Sequence, residues 1–168
     1  KYTIQQYSED IIEFCRYLRI DRAFVLGYSD GGNISLFLAA KDPKRFPKIY
    51  AISPNYLVSG TTESSLNFLR KIYRMLIFMK KIGFNTRKAI MRFDLMLNDI
   101  GLSKQQLQSI STQVRLAYAE KDMIKHEHIL EICSLIPCAT AKKINGCTHL
   151  SEFKSTELIS DMQNFFSL

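Results

Sequence analysis

The sequence has 168 residues, which is the length of one domain at roughly 150 residues per domain. Apolar residues make up 46%, charged residues 23% and aromatic residues 11%, values that are typical of globular proteins and argue against disorder, collagen-like repeats or a bare coiled coil. The net charge of +7 favours anionic partners, and no run of residues is long and apolar enough to span a bilayer.

The beginning of the chain predicts a helix, a strand, a helix and a second strand. A Thr-x-x-Gln capping box at Thr3 opens a helix whose apolar side chains recur every three or four residues. Short apolar runs at residues 23–26 and 49–52 predict strands that are buried on both faces, as in parallel sheets. A helix over residues 29–40 separates these two strands.

Residues 55–112 change in character, because they contain no clear strand and many apolar residues at helical spacing. The earlier alternation then resumes, with strands at 114–118 and 139–144, a helix at 127–136 between them, and a last helix capped by Ser151. Strands that alternate with helices predict a mostly parallel α/β sheet with flanking helices, here interrupted by a helical insertion.

This pattern divides the chain into three parts. Residues 1–54 and 113–168 form the two parts of the core, and residues 55–112 form a helical cap, or lid, between them. The cap carries eight basic residues between positions 63 and 92 against one acid, Glu63. We expect its apolar side chains either to roof an acyl-binding pocket or to pack on one another and on the sheet.

The strongest chemical signal is Gly-x-Ser-x-Gly at residues 27–31, where a predicted strand meets a predicted helix. This motif makes a tight turn that raises the hydroxyl of Ser29 clear of the backbone, and we expect both glycines to be needed because the turn leaves no room for side chains. The helix N-terminus beside Ser29 favours developing negative charge. The alternative interpretation is an ordinary glycine-rich turn.

A nucleophilic serine needs a base, and the chain has three histidines. His149 follows the last predicted strand and therefore lies at the same sheet edge as Ser29, so it is the candidate base. We interpret His126 and His128 as polar residues on the surface of a helix.

The base in turn needs an acid that orients it. Asp122 follows the strand at 114–118 and is the best candidate, with Glu120 as its neighbouring rival. Asp94 and Asp99 lie in the insertion and fit less well. The order of serine, aspartate and histidine along the chain is the order expected of a hydrolase triad on this kind of sheet.

These segments resemble the α/β-hydrolase superfamily, and in particular its small bacterial esterase-like members. The resemblance rests on residues 2–18, 24–33 and 120–124 and on the His149 loop, whereas residues 55–112 resemble the family's variable helical cap. It implies that Ser29 is the nucleophile, that His149 is the general base and then acid, and that Asp122 orients His149. It also implies that the backbone N–H of Asp30 stabilises the oxyanion during hydrolysis of a carboxylic ester.

The chain departs from the family pattern in two ways. Ala119 and Thr148 stand where the family often has glycine. The family's sheet normally has eight strands, and only four are predicted here, without the loop that gives a second oxyanion donor. We therefore expect a piece of a longer enzyme, or a homo-oligomer or other pairing that covers the exposed edge of the strand at 23–26.

We expect a small ester-like substrate with an apolar acyl group, no metal or cofactor, no nucleic acid and no stable membrane insertion. Tyr28, Leu76 and Met79 are candidates for substrate contact. The four cysteines form no Cys-x-x-Cys pair, which is typical of reduced thiols in a cytoplasmic protein. A catalytically silent ligand-binding module and a lipid-surface protein that uses its basic cap are the alternatives, and thioester, amide, lactone or carbon–carbon bond hydrolysis also stays open.

Overall fold

Four parallel strands form one sheet in a computed structural model that describes residues 2–167. The strands lie side by side in chain order, each joined to the next by a helical connection. Their bounds are β1 (Phe24–Tyr28), β2 (Lys48–Ile52), β3 (Gln113–Lys121) and β4 (Ala139–Thr148). Because all four strands run parallel, their carboxyl ends meet at a single edge of the sheet.

Seven helices accompany the sheet within the described residues, and two of them lie within one residue of the predicted helices at 29–40 and 127–136. Their bounds are α1 (Ile4–Tyr17), α2 (Asp30–Lys41), α3 (Glu63–Lys81), α4 (Arg87–Met96), α5 (Lys104–Gln108), α6 (His126–Leu135) and α7 (Thr156–Phe166). The hydroxyl of Thr3 accepts a hydrogen bond from the N–H of Gln6 at the start of α1, as its capping box predicts. The last helix differs, because Ser155 caps α7, whereas Ser151 bonds to the N–H of Thr148.

The core has two layers, one on each face of the sheet. Alternate side chains of a strand point to opposite faces, so Ile49 and Ala51 of β2 pack toward α1, α2 and α6, while Tyr50 and Ile52 pack toward α7. All four of these side chains are fully buried. The prediction of a strand buried on both faces is therefore confirmed for β2.

The same prediction is wrong for β1. This strand lies at one end of the strand order, and Phe24 and Leu26 each keep 47% of their surface exposed. Among the described helices, α7 packs on that face through β2 and β4, and its Phe166 stacks on Phe24 at 5.6 Å between ring centroids. The edge of β1 is consequently both apolar and open.

Residues 55–112 hold α3, α4, α5 and a short 3₁₀ turn at Val58–Gly60, and they add no strand to the sheet. They contact the core through an isolated bridge between Thr61 and Ile124 and through buried side chains that belong to the core cluster: Tyr56, Ile100, Leu102, Leu107 and Ile110. The insertion thus lies against the segment that follows β3.

Two further observations concern residues 2–167 as a whole. None of their helices has the length and apolar character needed to cross a membrane. All four cysteines are free, and Cys138 is the exposed one.

Candidate active site

Ser29 occupies a strained turn between the end of β1 and the start of α2. Its φ of 54° and ψ of −117° lie in a region that non-glycine residues rarely adopt. The turn is held by two backbone hydrogen bonds, from the Ser29 N–H to the Ile52 carbonyl at 2.8 Å and from the Asn33 N–H to the Ser29 carbonyl at 3.0 Å. The Ser29 side chain makes no capping bond to α2, which leaves its hydroxyl available at the carboxyl edge of the sheet.

The glycines of the turn differ in how much space they have. A Cβ atom at Gly27 would lie 2.2 Å from both the Gly31 carbonyl oxygen and Ser35 Oγ. Rotation of the Ser35 side chain could relieve only the second clash, because the Gly31 oxygen belongs to the backbone. Gly32 is also tight, because its Cβ would lie 3.1 Å from the Ile52 carbonyl oxygen. Nothing lies within 4 Å of a Cβ at Gly31, so the prediction that this glycine is sterically required is wrong.

Three residues predicted as a catalytic set lie within hydrogen-bond distance of one another. His149 Nε2 is 3.3 Å from Ser29 Oγ, and His149 Nδ1 is 2.7 Å from Asp122 Oδ1. Each comes from a different segment, after β1, after β3 and after β4, and parallel pairing brings these strand ends to one edge. His149 is 7% exposed, so its contact with Asp122 is largely shielded from water.

Asp122 is held by four hydrogen-bond donors. Besides His149, its carboxylate accepts from the N–H groups of Ala119 at 2.9 Å and Ile124 at 3.1 Å and from Ser53 Oγ at 2.5 Å. Burial acts to raise the pKa of this carboxyl, but the bonds from His149, Ser53 and Ile124 outweigh it and hold the pKa below its ordinary value. Asp122 is therefore a carboxylate at neutral pH, and it fixes the proton of His149 on Nδ1.

The other acids considered from the sequence make contacts elsewhere. Glu120 is exposed and accepts from the N–H of Gly146 at 2.9 Å. Asp94 accepts from the Tyr73 hydroxyl at 2.8 Å, and Asp99 accepts from the Val58 N–H at 2.7 Å. Within the described residues, Asp122 is the carboxylate that bonds to His149.

The other two histidines, His126 and His128, contact residues outside the candidate catalytic set. His128 is buried, which contradicts the expected surface position, because it lies on the inner face of α6 and stacks on Tyr56 at 4.9 Å between ring centroids. Its Nε2 accepts from the Tyr56 N–H at 3.3 Å, and burial lowers its pKa. A Cβ at Gly60 would lie 2.2 Å from the same ring. His126 is half-buried, with a ring nitrogen 3.1 Å from the Ala119 carbonyl oxygen.

Sequence reasoning missed two polar residues that adjoin Asp122. Ser53 directly follows β2 with a φ of 51°, is fully buried, and lies 2.5 Å from Asp122 Oδ2 and 2.9 Å from Glu152 Oε1. The signal for Ser53 was present, because a polar residue at the carboxyl end of the strand between β1 and β3 must lie near both. Glu152 offered no such signal, since an acid in a polar loop normally faces water.

Tyr28 touches the histidine loop. Its hydroxyl donates to the backbone carbonyl of His149, and its ring lies 5.1 Å from the imidazole between centroids. Burial, followed by the negative charges of Glu152 and Asp122, raises the pKa of Tyr28 to about 12, so the hydroxyl remains a donor. Tyr28 therefore contacts the loop that carries His149. Tyr28, predicted to contact substrate, does not line the cavity beside Ser29.

That cavity has a volume of about 60 Å³ and lies under the helical insertion. Leu76 and Met79, predicted to contact substrate, do not line it; they lie further along α3, where their carbonyl oxygens accept from Thr86 and Phe84. The lining residues combine the candidate catalytic groups with polar and apolar side chains: Ser29, Asp30, Asn55, Thr61, Leu69, Met96, Met123, Ile124 and His149.

Within the described residues, one group of side chains has the composition of a metal site. Ligand atoms of Asp122, His149 and Glu152 lie within 4.8 Å of one another. The Asp122 and His149 atoms are already bonded to each other, and Glu152 Oε1 is bonded to Ser53. A metal ion here would have to displace those hydrogen bonds.

Comparisons with known proteins agree with this architecture. Residues 1–79 match the family model described as alpha/beta hydrolase fold, and no curated protein matches the sequence. A meta-cleavage product hydrolase from Pseudomonas fluorescens IP01 superimposes with a TM-score of 0.73 at 14% identity, covering 99% of this chain and 72% of that one. The enol-lactonase from Burkholderia xenovorans LB400 gives 0.73 at 16% identity, with coverage of 99% and 74%. A structure from work on carboxylesterases of Nitrososphaera gargenis gives 0.73 at 18%, with coverage of 99% and 72%.

Proposed function

This chain has the α/β-hydrolase fold, and from that premise we propose that it is a serine hydrolase that cleaves a carboxylic ester or a related acyl bond. The observation that carries the proposal is the hydrogen-bonded series from Ser29 through His149 to Asp122 at the carboxyl edge of the sheet. A hydroxyl, an imidazole and a buried carboxylate in this order are the groups that acyl transfer through a covalent intermediate requires.

In the acylation step, Ser29 Oγ attacks the carbonyl carbon while His149 Nε2 takes the hydroxyl proton. Asp122 stabilises the imidazolium that forms, because its carboxylate Oδ1 accepts a hydrogen bond from the His149 Nδ1–H at 2.7 Å. The tetrahedral intermediate then expels the alcohol, which receives the proton from His149. Water repeats the sequence on the acyl-enzyme, with His149 first taking and then returning one proton, and the products are the carboxylic acid and free Ser29.

The start of α2 supports the charge that develops on the carbonyl oxygen. Asp30 is the first residue of this helix, and the first N–H groups of a helix have no partner within it. The helix dipole adds partial positive charge at the same position. A donor of this kind accounts for about 10²–10³-fold in the rate of acyl transfer. We assign this role to the Asp30 N–H.

The cavity supports a small acyl group as the bound part of the substrate. Its volume of about 60 Å³ is well below the roughly 300–1,000 Å³ of pockets that enclose whole drug-sized ligands. Leu69, Met96 and Met123 provide its apolar wall, while Asn55 and Thr61 provide polar groups. A short acyl chain therefore fits beside Ser29, with the leaving group directed outward.

Labelling with a fluorophosphonate tests the proposal directly. We expect one covalent adduct per chain on the peptide that contains Ser29, because the phosphonate reacts only with a serine activated by a base. The adduct should be absent in Ser29→Ala and should form at least about 10³-fold more slowly in His149→Ala. Mass spectrometry of the intact protein and of its peptides measures both.

An exposed serine provides the matched control for this experiment. Ser59→Ala removes a hydroxyl from the surface of the insertion and should label as fast as the unchanged protein. Failure of the folded protein to label at Ser29 would contradict the hydrolase proposal. If small esters still bound under those conditions, the silent ligand-binding module would become the better description.

A second candidate function, attachment to an anionic lipid surface, is favoured by the outer face of α3. Phe68, Met75 and Phe78 are 59%, 52% and 61% exposed and lie seven and three residues apart on this helix, which places them in one stripe. Lys71 and Arg74 are exposed within and beside that stripe. Apolar and basic side chains sharing one face are typical of helices that lie in a membrane interface.

Sedimentation with lipid vesicles tests this second candidate. We expect binding to vesicles that contain phosphatidylglycerol, and binding about 30-fold weaker when Lys71 and Arg74 are both changed to Gln, at about 1 kcal/mol per basic residue. Arg22→Gln with Lys44→Gln is the control, because it removes the same charge from exposed positions outside the insertion. An equal loss of vesicle binding in both double variants would show that binding depends on the net charge of the protein and not on this face of α3. Absence of binding would rule the candidate out.

A further inference from the structure

A single hydroxyl lies between two carboxyl groups behind the candidate active site. Ser53 Oγ is 2.5 Å from Asp122 Oδ2 and 2.9 Å from Glu152 Oε1. A serine hydroxyl has one hydrogen and can donate it to only one of these oxygens. The second contact is favourable only if the other carboxyl group is protonated and donates to Ser53. One of the two acids therefore holds a proton.

The surroundings decide which acid that is. Asp122 already accepts from His149 and from two backbone N–H groups, and these donors stabilise its charged form. Glu152 is completely buried, and its Oε2 has no hydrogen-bond partner among the described residues. Burial, followed by the charge of Asp122, raises the pKa of Glu152 to about 8. The proton therefore belongs to Glu152.

We propose that Glu152 is a positioning residue that remains a neutral acid at neutral pH, donating its hydrogen to Ser53 so that Ser53 donates to Asp122 and holds that carboxylate against His149. The positioning part of this statement rests on the proposed hydrolase function. The protonation part rests only on the geometry of Ser53, Asp122 and Glu152.

Other titratable groups around Glu152 do not supply a compensating positive charge. A negative charge on Glu152 would act on three neighbouring groups: Tyr28 of β1, Tyr50 of β2 and Cys147 of β4. Burial raises the pKa of each of these groups, so they stay neutral. Asp122 is anionic, and His149 is the basic group nearby. Among residues 2–167, no lysine or arginine forms an ion pair with Glu152.

The pH dependence of stability follows from the buried proton. A carboxyl whose pKa is raised from 4.5 to about 8 on folding keeps a proton that the unfolded chain releases. Stability is therefore lost as the pH rises from about 4.5 to about 8. Glu152→Gln keeps an N–H donor for Ser53 but has no proton to lose, so it removes this dependence.

Thermal unfolding between pH 5 and pH 9 tests the protonation. We expect the Tm of Glu152→Gln to rise relative to the unchanged protein by at least about 5 °C between these two pH values. Glu157→Gln is the matched control, because Glu157 lies partly exposed on α7 and pairs with Lys142 at 2.8 Å, so its variant should show no such gain. A Tm difference for Glu152→Gln that stays constant across the range would overturn the proposal.

Ester turnover tests the positioning role. We expect Glu152→Ala to lower kcat by about 10-fold at pH 7 with little change in KM, and Glu152→Gln to restore most of that loss. The unchanged protein should lose kcat above pH 8, where ionised Glu152 competes for the Ser53 hydrogen, and Glu152→Gln should not. Equal kcat in all three proteins would overturn the positioning role. If no variant hydrolysed esters, the hydrolase proposal would fail while the Tm result would still decide the protonation of Glu152.

Discussion

Replacing Asp122 with Asn is expected to lower kcat for ester hydrolysis by about 10⁴-fold in a protein that still folds. Asp122 presents acceptors to four donors, from His149, Ser53, Ala119 and Ile124. An asparagine amide has only one acceptor oxygen, so its NH₂ group must face either the side of His149 or the side of Ser53.

Facing the NH₂ group toward His149 has a specific chemical consequence. The ring then has to present a lone pair at Nδ1, which places its proton on Nε2, the nitrogen that must accept the proton of Ser29. The wrong tautomer cannot act as the base, and the loss falls on kcat more than on KM. Steady-state kinetics with a p-nitrophenyl ester of a short acid, together with circular dichroism to verify folding, measures the effect.

Glu120→Gln is the control for this prediction, since Glu120 lies two residues away and bonds to Gly146 on the exposed side of the loop. Its kcat should stay within about 3-fold of the unchanged protein, in line with a surface position. If Asp122→Asn and Glu120→Gln had similar kinetics, Asp122 would not be the residue that orients His149.

The second large effect is expected at Gly27, on stability and activity together. An alanine there places Cβ 2.2 Å from the backbone carbonyl oxygen of Gly31, so α2 must move away from β1. We expect Gly27→Ala to lower the free energy of unfolding by about 3 kcal/mol or more, the upper end of the range for overpacking. Chemical denaturation measures this loss, and ester turnover should fall with it because Ser29 lies on the displaced turn.

Gly31→Ala is the matched control, four residues away in the same turn. Nothing lies within 4 Å of a Cβ at this position, and Gly31 lies in the first turn of α2. An alanine should therefore be neutral or should stabilise the protein by up to about 1 kcal/mol, the helix-propensity difference from glycine. If Gly31→Ala lowered the free energy of unfolding as much as Gly27→Ala, a steric clash at Cβ would not be the reason that the turn requires glycine.

The sequence predicted the parallel arrangement because its signals are local. Each predicted strand, the capping box at Thr3 and the Gly-x-Ser-x-Gly turn involves fewer than ten neighbouring residues. The common edge of a parallel sheet then places Ser29, Asp122 and His149 near one another. The roles of these residues stay predictions until the labelling and kinetic experiments are performed.

Features that depend on distant packing could not be predicted in this way. The exposure of Leu26 follows from the position of β1 at one end of the sheet, which its own residues do not specify. The burial of Glu152 follows from the strands around it. Leu76 shares an apolar helix with Leu69, but at 1.5 Å per residue it lies about 10 Å further along α3, beyond the cavity that Leu69 lines.

The long separation between Ser29 and His149 along the chain has a consequence for folding. These residues are 120 positions apart, and they meet only after β1, β2, β3 and β4 have paired in register. Pairing of parallel strands closes long loops, and contacts of this kind form slowly relative to helices. Under the proposed function, a partly folded chain therefore carries an unactivated serine, and the appearance of a reactive Ser29 would report that these four strands have paired.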